Sequence, residues 1–155
     1  TLYKINNCYS YCPDLMTPPP VYRKALELCE LSRAIASYVT QNKDLLKLYQ
    51  SNSLRDIIAD SLLTDAILIR QQIARAEESS NPVVRFRTTH FVSVMLRNLQ
   101  GYTNGLEHHG VKEKEYLDLL RKEIKSFKKV FKKWRRSLGS HRDEGNWGYQ
   151  DYLGY

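Results

Sequence analysis

The 155-residue chain lacks several features that would assign it to a membrane, secreted or metal-binding class. It has no apolar run near the ~20 residues that span a bilayer, and no basic-then-apolar secretory signal. Its cysteines, Cys8, Cys12 and Cys29, are an odd number, and free reduced thiols are expected. A metal site joining Cys8 and Cys12 to His108 or His109 is the alternative. The absences predict a cytoplasmic protein with no membrane partner, no metal and no cofactor.

The sequence also lacks the motifs of the common enzyme classes. It has no glycine-rich phosphate loop, no spaced zinc quartet and no G-x-S-x-G nucleophile motif, so we expect a protein that is not an enzyme. One pattern favours an alternative, because Arg85 and His90 match the Arg-x4-6-His spacing of HEPN ribonucleases from toxin-antitoxin or defence systems. Phe86 departs from that family, which usually has a polar residue there, and helix positions five apart diverge by ~140°.

Strand patterns are missing too, whereas apolar residues recur at helical spacing in four segments. The pattern predicts helices over about 20–39 and 54–78, with residues 40–52 unassigned. A third helix begins at Pro82 and is expected to end at Gly101 to Gly105. A fourth begins near Lys112, with Tyr116 among its apolar residues, and is expected to end near Gly139. Short links between long helices predict an all-α, antiparallel up-down four-helix bundle.

Composition divides the chain into three regions. Residues 1–20 end in three consecutive prolines, which favour an extended arm over a helix. Residues 21–138 form the predicted bundle. Residues 139–155 hold four of the seven glycines beside several aromatic residues. This composition predicts a flexible tail, or a segment that docks on another subunit or protein.

Positive charge is concentrated in residues 121–136, RKEIKSFKKVFKKWRR. This stretch has nine Lys and Arg against one Glu, a charge of +8, whereas the whole chain has 24 against 17, or +7. No acid occurs from Lys125 to Arg136, so like charges on adjacent helical turns repel one another. A polyanion relieves that repulsion, which predicts phosphate contacts with RNA or DNA. The predicted nucleic-acid-binding residues are Lys122, Lys125, Lys128, Lys129, Lys132, Lys133, Arg135 and Arg136.

Several features between about Leu28 and Leu138 form a recognisable succession. Residues 61–80 read as a helix with a small polar end, residues 87–99 as a helix of small and apolar residues, and GVKEKEYLDLL and FKKWRRSL open and close the last helix. This succession resembles the four-helix bundle family of the 23S ribosomal RNA intervening-sequence protein and the accessory variability determinant of diversity-generating retroelements.

The resemblance implies a specific functional setting. It implies a non-enzymatic basic protein that forms a homo-oligomeric ring, typically a pentamer. Such a protein binds RNA or complementary DNA together with a reverse transcriptase during mutagenic retrohoming. The family has no catalytic motif, and the resemblance implies nucleic-acid contacts at the same basic positions of the last helix except Lys128. A structural oligomeric adaptor, whose charge only maintains solubility, is a further alternative.

Overall fold

The computed structural model describes residues 17–139 of the chain. Within that range it is all-helical and contains no strand. The five helices are α1 (Pro20–Val39), α2 (Leu45–Gln50), α3 (Leu54–Glu78), α4 (Pro82–His108) and α5 (Lys114–Gly139). The predicted bounds of α1 and α3 are confirmed, and the unassigned segment between them contains α2. The predicted tail after Gly139 and most of the predicted arm lie outside the described residues.

Local sequence signals account for the starts of α1 and α4. Pro20 and Pro82 occupy the first turns of α1 and α4, where the missing proline N–H removes no helical hydrogen bond. Asn81 caps α4, because its side-chain oxygen accepts a hydrogen bond from the backbone N–H of Val83 at 2.9 Å. Ser53 precedes α3, but its side chain makes no capping hydrogen bond.

The end of α4 differs from the prediction. Gly101 and Gly105 lie inside the helix, which continues to His108. Gly105 faces α3, and a Cβ added there would lie only 3.1 Å from Cδ1 of Ile58. The chain turns instead at Gly110, whose φ of +91° is in the region that favours glycine. The prediction was wrong because Gly105 lets two helices approach closely and does not end α4.

The four long helices contact one another in a ring. α1 packs against α3, α3 against α4, α4 against α5, and α5 against α1, while the short α2 contacts α3. Each long helix contributes large, fully buried side chains to the shared core. Burial of each such side chain stabilises the fold by about 1.5–3 kcal/mol. Examples from α1, α3, α4 and α5 in turn are Leu28, Leu62, Leu99 and Phe127.

The buried side of α5 is a narrow apolar stripe. Its members follow one another at steps of three and four residues, the helical spacing expected from the sequence. Tyr116 is not one of them, since it is 45% exposed and meets the ring of Tyr38 edge-on at 5.2 Å. Leu117 takes the core position, so the predicted core residue, Tyr116, was wrong by one position. The stripe consists of Leu117, Leu120, Ile124, Phe127, Phe131 and Trp134.

Candidate nucleic-acid interface

Six of the eight predicted binding residues are exposed on α5, away from its buried stripe. We call these six side chains the basic face. The other two, Lys128 and Arg135, are half-buried at the edge of α5 that meets α4. All eight therefore lie on one side of a single helix, six of them exposed and two half-buried. The basic face comprises Lys122, Lys125, Lys129, Lys132, Lys133 and Arg136.

The position of these cations follows from the helical repeat. Apolar residues recur every three or four positions in α5 and take the side that contacts α1 and α4. The lysines and arginines occupy the intervening positions, which the 3.6-residue repeat rotates toward solvent. Between Ile124 and Gly139 no acidic residue interrupts them. The basic face therefore has a continuous positive potential over about four helical turns.

A groove separates the second half of α5 from α4, with a volume of about 240 Å³. Its apolar lining comes from Leu96 of α4 and Phe131 of α5. Four cations also line it: one from α4 and three from α5. We call it the α4–α5 groove. Its cations are Arg97, Lys128, Lys132 and Arg135.

Two contacts define the groove's electrostatics. The ammonium of Lys128 donates to the side-chain oxygen of Gln100 at 2.9 Å, a neutral acceptor. Burial lowers the pKa of Lys128, and the neighbouring charges of Lys132 and Arg97 lower it further. The guanidinium of Arg135 lies 5.9 Å from the centre of the Phe131 ring, within cation–π range. Positive charge is thus crowded at the α4 edge of the basic face.

The first half of α5 has a different electrostatic environment. Arg121 forms an ion pair with Glu107 of α4 and another with Asp118 at 2.9 Å. Glu123 accepts from Lys24 of α1 at 3.3 Å. These contacts tie the first half of α5 to both neighbouring helices. Of the predicted binding residues, only Lys122 lies in this half.

The residues of the ribonuclease alternative contact different partners. The Nε of Arg85 donates to the backbone carbonyl of Ser79 at 2.6 Å, in the turn before α4. His90 is exposed, and its ring stacks against Phe86 with centroids 6.4 Å apart. The structure records no contact between the two side chains within the range it describes.

The candidate metal ligands fall into two groups. His108 and His109 meet edge-on at the end of α4, with ring centroids 5.1 Å apart. Across residues 17–139 no cluster of three or more His, Cys, Asp or Glu side chains is placed to hold a metal ion. Cys8 and Cys12 lie outside the described residues. Cys29 is buried in the core and is not part of a disulfide, in agreement with the expected reduced state. None of the described helices is long and apolar enough to cross a membrane.

Sequence reasoning missed the contribution of α4 to the basic site. Arg97 and Gln100 are exposed residues of α4, and the sequence does not reveal that they border α5. It also missed a buried carboxylate: Asp56 accepts from Ser51 at 2.7 Å and pairs with Lys43. Burial favours a higher pKa for Asp56, but these hydrogen bonds outweigh it and lower the pKa below the usual value.

Comparison of the chain with family models, curated proteins and solved structures finds no match.

Proposed function

We propose that this protein is a non-enzymatic accessory protein that binds nucleic acid through the basic face of α5. The observation that supports the proposal most directly is the charge of residues 124–139, which have seven Lys and Arg and no acid. Most of these cations are exposed on one side of the helix. Like charges at i, i+3 and i+4 destabilise a helix by a few tenths of a kcal/mol per pair, so the arrangement is unfavourable without a polyanion.

Phosphate groups suit this surface better than a single small anion does. A helix of about four turns presents cations along roughly 20 Å, which matches several consecutive phosphates of a nucleic-acid strand. Contacts of this kind release counterions and position the strand without reading its sequence. The expected behaviour is binding that is largely independent of sequence and weakens steeply as salt concentration rises.

The resemblance extends the proposal to partners and assembly. It implies an up-down four-helix bundle that assembles into a homo-oligomeric ring, typically a pentamer, and acts with a reverse transcriptase. The ring of contacts among α1, α3, α4 and α5 supports the bundle part of this proposal. A ring assembly would bring several copies of the basic face together, which raises the effective affinity for one long strand.

The decisive variant reverses charge on the basic face outside the groove. We expect Lys125→Glu, Lys129→Glu and Lys133→Glu together to weaken binding to RNA roughly hundredfold near 0.1 M salt, because several phosphate contacts are lost. The slope of log affinity against log salt should also become shallower by about two to three. Fluorescence anisotropy with labelled RNA over a salt series measures both quantities.

A matched control distinguishes the effect of the basic face on RNA affinity from the effect of net charge. Arg23, Arg75 and Arg87 are exposed on α1, α3 and α4. Changing all three to Glu lowers the net charge by the same six units as the α5 variant. This control should retain RNA affinity within a few-fold, and circular dichroism should show equal helicity in both variants. Equal weakening by the two variants would show that only overall charge matters, and the proposal would be wrong.

The assembly and the protein partner need separate measurements. Light scattering should give a mass of five times the 18.2 kDa of one chain. A reverse transcriptase encoded beside this protein should co-purify with it after nuclease treatment. A monomer that does not retain the polymerase would remove this part of the proposal and leave nucleic-acid binding in place.

A further inference from the structure

The first two turns of α4 expose apolar side chains. Val83 and Phe86 are each about half exposed and lie three residues apart, so they share one side of the helix. The ring of His90, one turn further along α4, stacks against Phe86. We call Val83, Phe86 and His90 the α4 patch. Grouped apolar side chains on a surface mark a place where another segment of protein packs.

The register between α4 and α5 explains why the α4 patch is exposed. Along three pairs of neighbouring residues, each step of seven residues forward in α5 is a step of seven residues back in α4. By this register Gly139, where α5 ends, lies level with about Thr89. Phe86 and Val83 therefore lie about one and two turns beyond the end of α5. The three pairs are Arg121 with Glu107, Lys128 with Gln100, and Arg135 with Ser93.

The α4 patch continues the side of α4 that borders α5. Arg97 on that side lines the α4–α5 groove. His90, Phe86 and Val83 precede Arg97 by 7, 11 and 14 residues, and the 3.6-residue repeat places all three within about 40° of it around the helix axis. The α4 patch therefore faces the space into which a longer α5 would extend.

The residues that follow α5 have a composition that fits this surface. Residues 140–155, which lie outside the described range, have one Arg against three Asp and Glu, a charge of −2. Residues 124–139, at the end of α5 nearest the patch, have a charge of +7. The segment is also rich in aromatic residues, which pack on apolar and aromatic surfaces at low cost in conformational entropy. These are Trp147, Tyr149, Tyr152 and Tyr155.

The length of the intervening chain allows contact within one molecule. Trp147 follows Gly139 by eight residues, which span up to about 26 Å. The α4 patch lies about 5–10 Å beyond the end of α5, on a helix whose axis is about 8–10 Å away. A segment tethered at this distance has a roughly millimolar effective concentration, so even a weak contact with the patch is populated.

We propose that residues 147–153, WGYQDYL, dock on the α4 patch of their own chain, with aromatic rings against Val83 and Phe86. Docking brings Asp143 and Glu144, which precede this segment, close to the last turns of the basic face. These acids offset the repulsion among its cations, and a nucleic acid must displace them to bind there. The docking stands independently of the proposed function, whereas this competition rests on it.

The fluorescence of Trp147 tests the docking. The chain has two tryptophans, and Trp134→Phe leaves Trp147 as the only one. In that background we expect acrylamide to quench Trp147 about threefold less than after the further change Phe86→Ser, because apolar contact excludes water and quencher from the ring. Phe91→Ser is the matched control and should leave the quenching unchanged, since Phe91 is also about half exposed but points about 140° away from Phe86 around α4.

Cross-linking provides a second measurement that leaves Trp134 in place. With p-benzoylphenylalanine at position 86, irradiation should join that position to residues 147–153 in the monomer band of a denaturing gel, and mass spectrometry identifies the linked peptides. Circular dichroism should show equal helicity in every variant.

Affinity for RNA measures the competition. In the chain that keeps both tryptophans, Phe86→Ser should raise the affinity for labelled oligouridylate about threefold near 0.1 M salt, because the acids no longer occupy the basic face. Adding oligouridylate to Trp134→Phe should increase the quenching of Trp147 to the level seen after Phe86→Ser.

Three results would overturn the proposal. Equal quenching of Trp147 with and without Phe86→Ser would show that the segment does not dock on the α4 patch. Quenching that changes with protein concentration, or cross-links between chains, would assign the occupant to a second copy. RNA affinity unchanged by Phe86→Ser would remove the competition. The proposed function fails on a separate result, unchanged RNA affinity in the Lys125, Lys129 and Lys133 variant.

Discussion

The two halves of α5 pack alike but differ in charge. Residues 114–123 have three Lys and Arg against three Asp and Glu, whereas residues 124–139 have seven against none. In the first half, Arg121 pairs with Glu107 and Asp118, and Glu123 pairs with Lys24. In the second half, Glu77 of α3 accepts from the indole N–H of Trp134, a donor without charge.

This difference separates two uses of charge within one helix. Both halves bury side chains completely, so apolar packing holds the whole of α5. Two ion pairs of the first half, Arg121–Glu107 and Glu123–Lys24, join α5 to α4 and to α1. The charged residues of the second half are all cations, which repel one another, and Lys128 among them donates to Gln100 of α4, an acceptor without charge. We infer that the first half serves the fold and the second half serves a ligand.

The largest expected effect tests whether the two halves pack alike. Leu117 in the first half and Phe127 in the second are both fully buried. We expect Leu117→Ala and Phe127→Ala each to lower the free energy of unfolding by about 3–5 kcal/mol, through lost burial and the cavity left behind. Urea unfolding followed by circular dichroism measures the change.

The exposed Leu119 provides the control for this pair, since it is 51% exposed on the same helix. Leu119→Ala should change the free energy of unfolding by less than about 1 kcal/mol. If Phe127→Ala has no more effect than Leu119→Ala, the second half is not held by apolar packing, and the comparison fails. Phe127→Leu is the milder variant to use if Phe127→Ala does not fold.

The next effect contrasts a cation that has an acidic partner with one on the basic face. The side chain of Lys43 is 34% exposed and pairs with Asp56, whose side chain is fully buried. Lys43→Met should lower the free energy of unfolding by about 2–3 kcal/mol, less than for a fully buried pair because Lys43 reaches solvent. Lys129→Met should change it by less than about 0.5 kcal/mol yet weaken RNA binding. If Lys43→Met loses RNA affinity and Lys129→Met does not, the assignment of Lys43 to the fold and Lys129 to RNA binding would be wrong.

The sequence predicts features that depend on local residues, and it does not predict features that depend on contacts between helices. The starts of α1 and α4 follow from prolines, and the basic side of α5 follows from the 3.6-residue repeat. The assignment of Leu117 to the core in place of Tyr116 depends on which neighbour each side chain meets. Gly105 lies inside α4, where the lack of a Cβ leaves room for Ile58 of α3. Arg97 joins the basic site only because α4 borders α5. These outcomes are set by tertiary contacts, which periodicity does not encode.

Acid is expected to lower the free energy of unfolding through Asp56, which pairs with Lys43. Its pKa is lowered in the folded protein, so its contribution to stability is complete above about pH 4, the usual range of an unfolded Asp. That contribution is lost as pH falls further, through the lowered value. The difference in unfolding free energy between the unchanged protein and Asp56→Asn should therefore shrink below about pH 4. A difference that stays constant from pH 6 to about pH 2 would contradict the assigned role of Asp56.

The smallest effect concerns repulsion on the basic face itself. Lys129 has lysines at i−4, i+3 and i+4, so Lys129→Gln removes several like-charge pairs. We expect it to raise the free energy of unfolding by about 0.2–0.5 kcal/mol at low salt, and by less at high salt, where repulsion is screened. The same change should weaken RNA binding, because a ligand contact is lost.

Arg121→Gln is the matched control in the first half, and it should lower the free energy of unfolding at low salt, since Arg121 has two acidic partners. If Lys129→Gln raises the free energy of unfolding and Arg121→Gln lowers it, the charge of the second half reduces stability in favour of binding. If both variants change the free energy of unfolding in the same direction, the two halves of α5 do not differ in this respect.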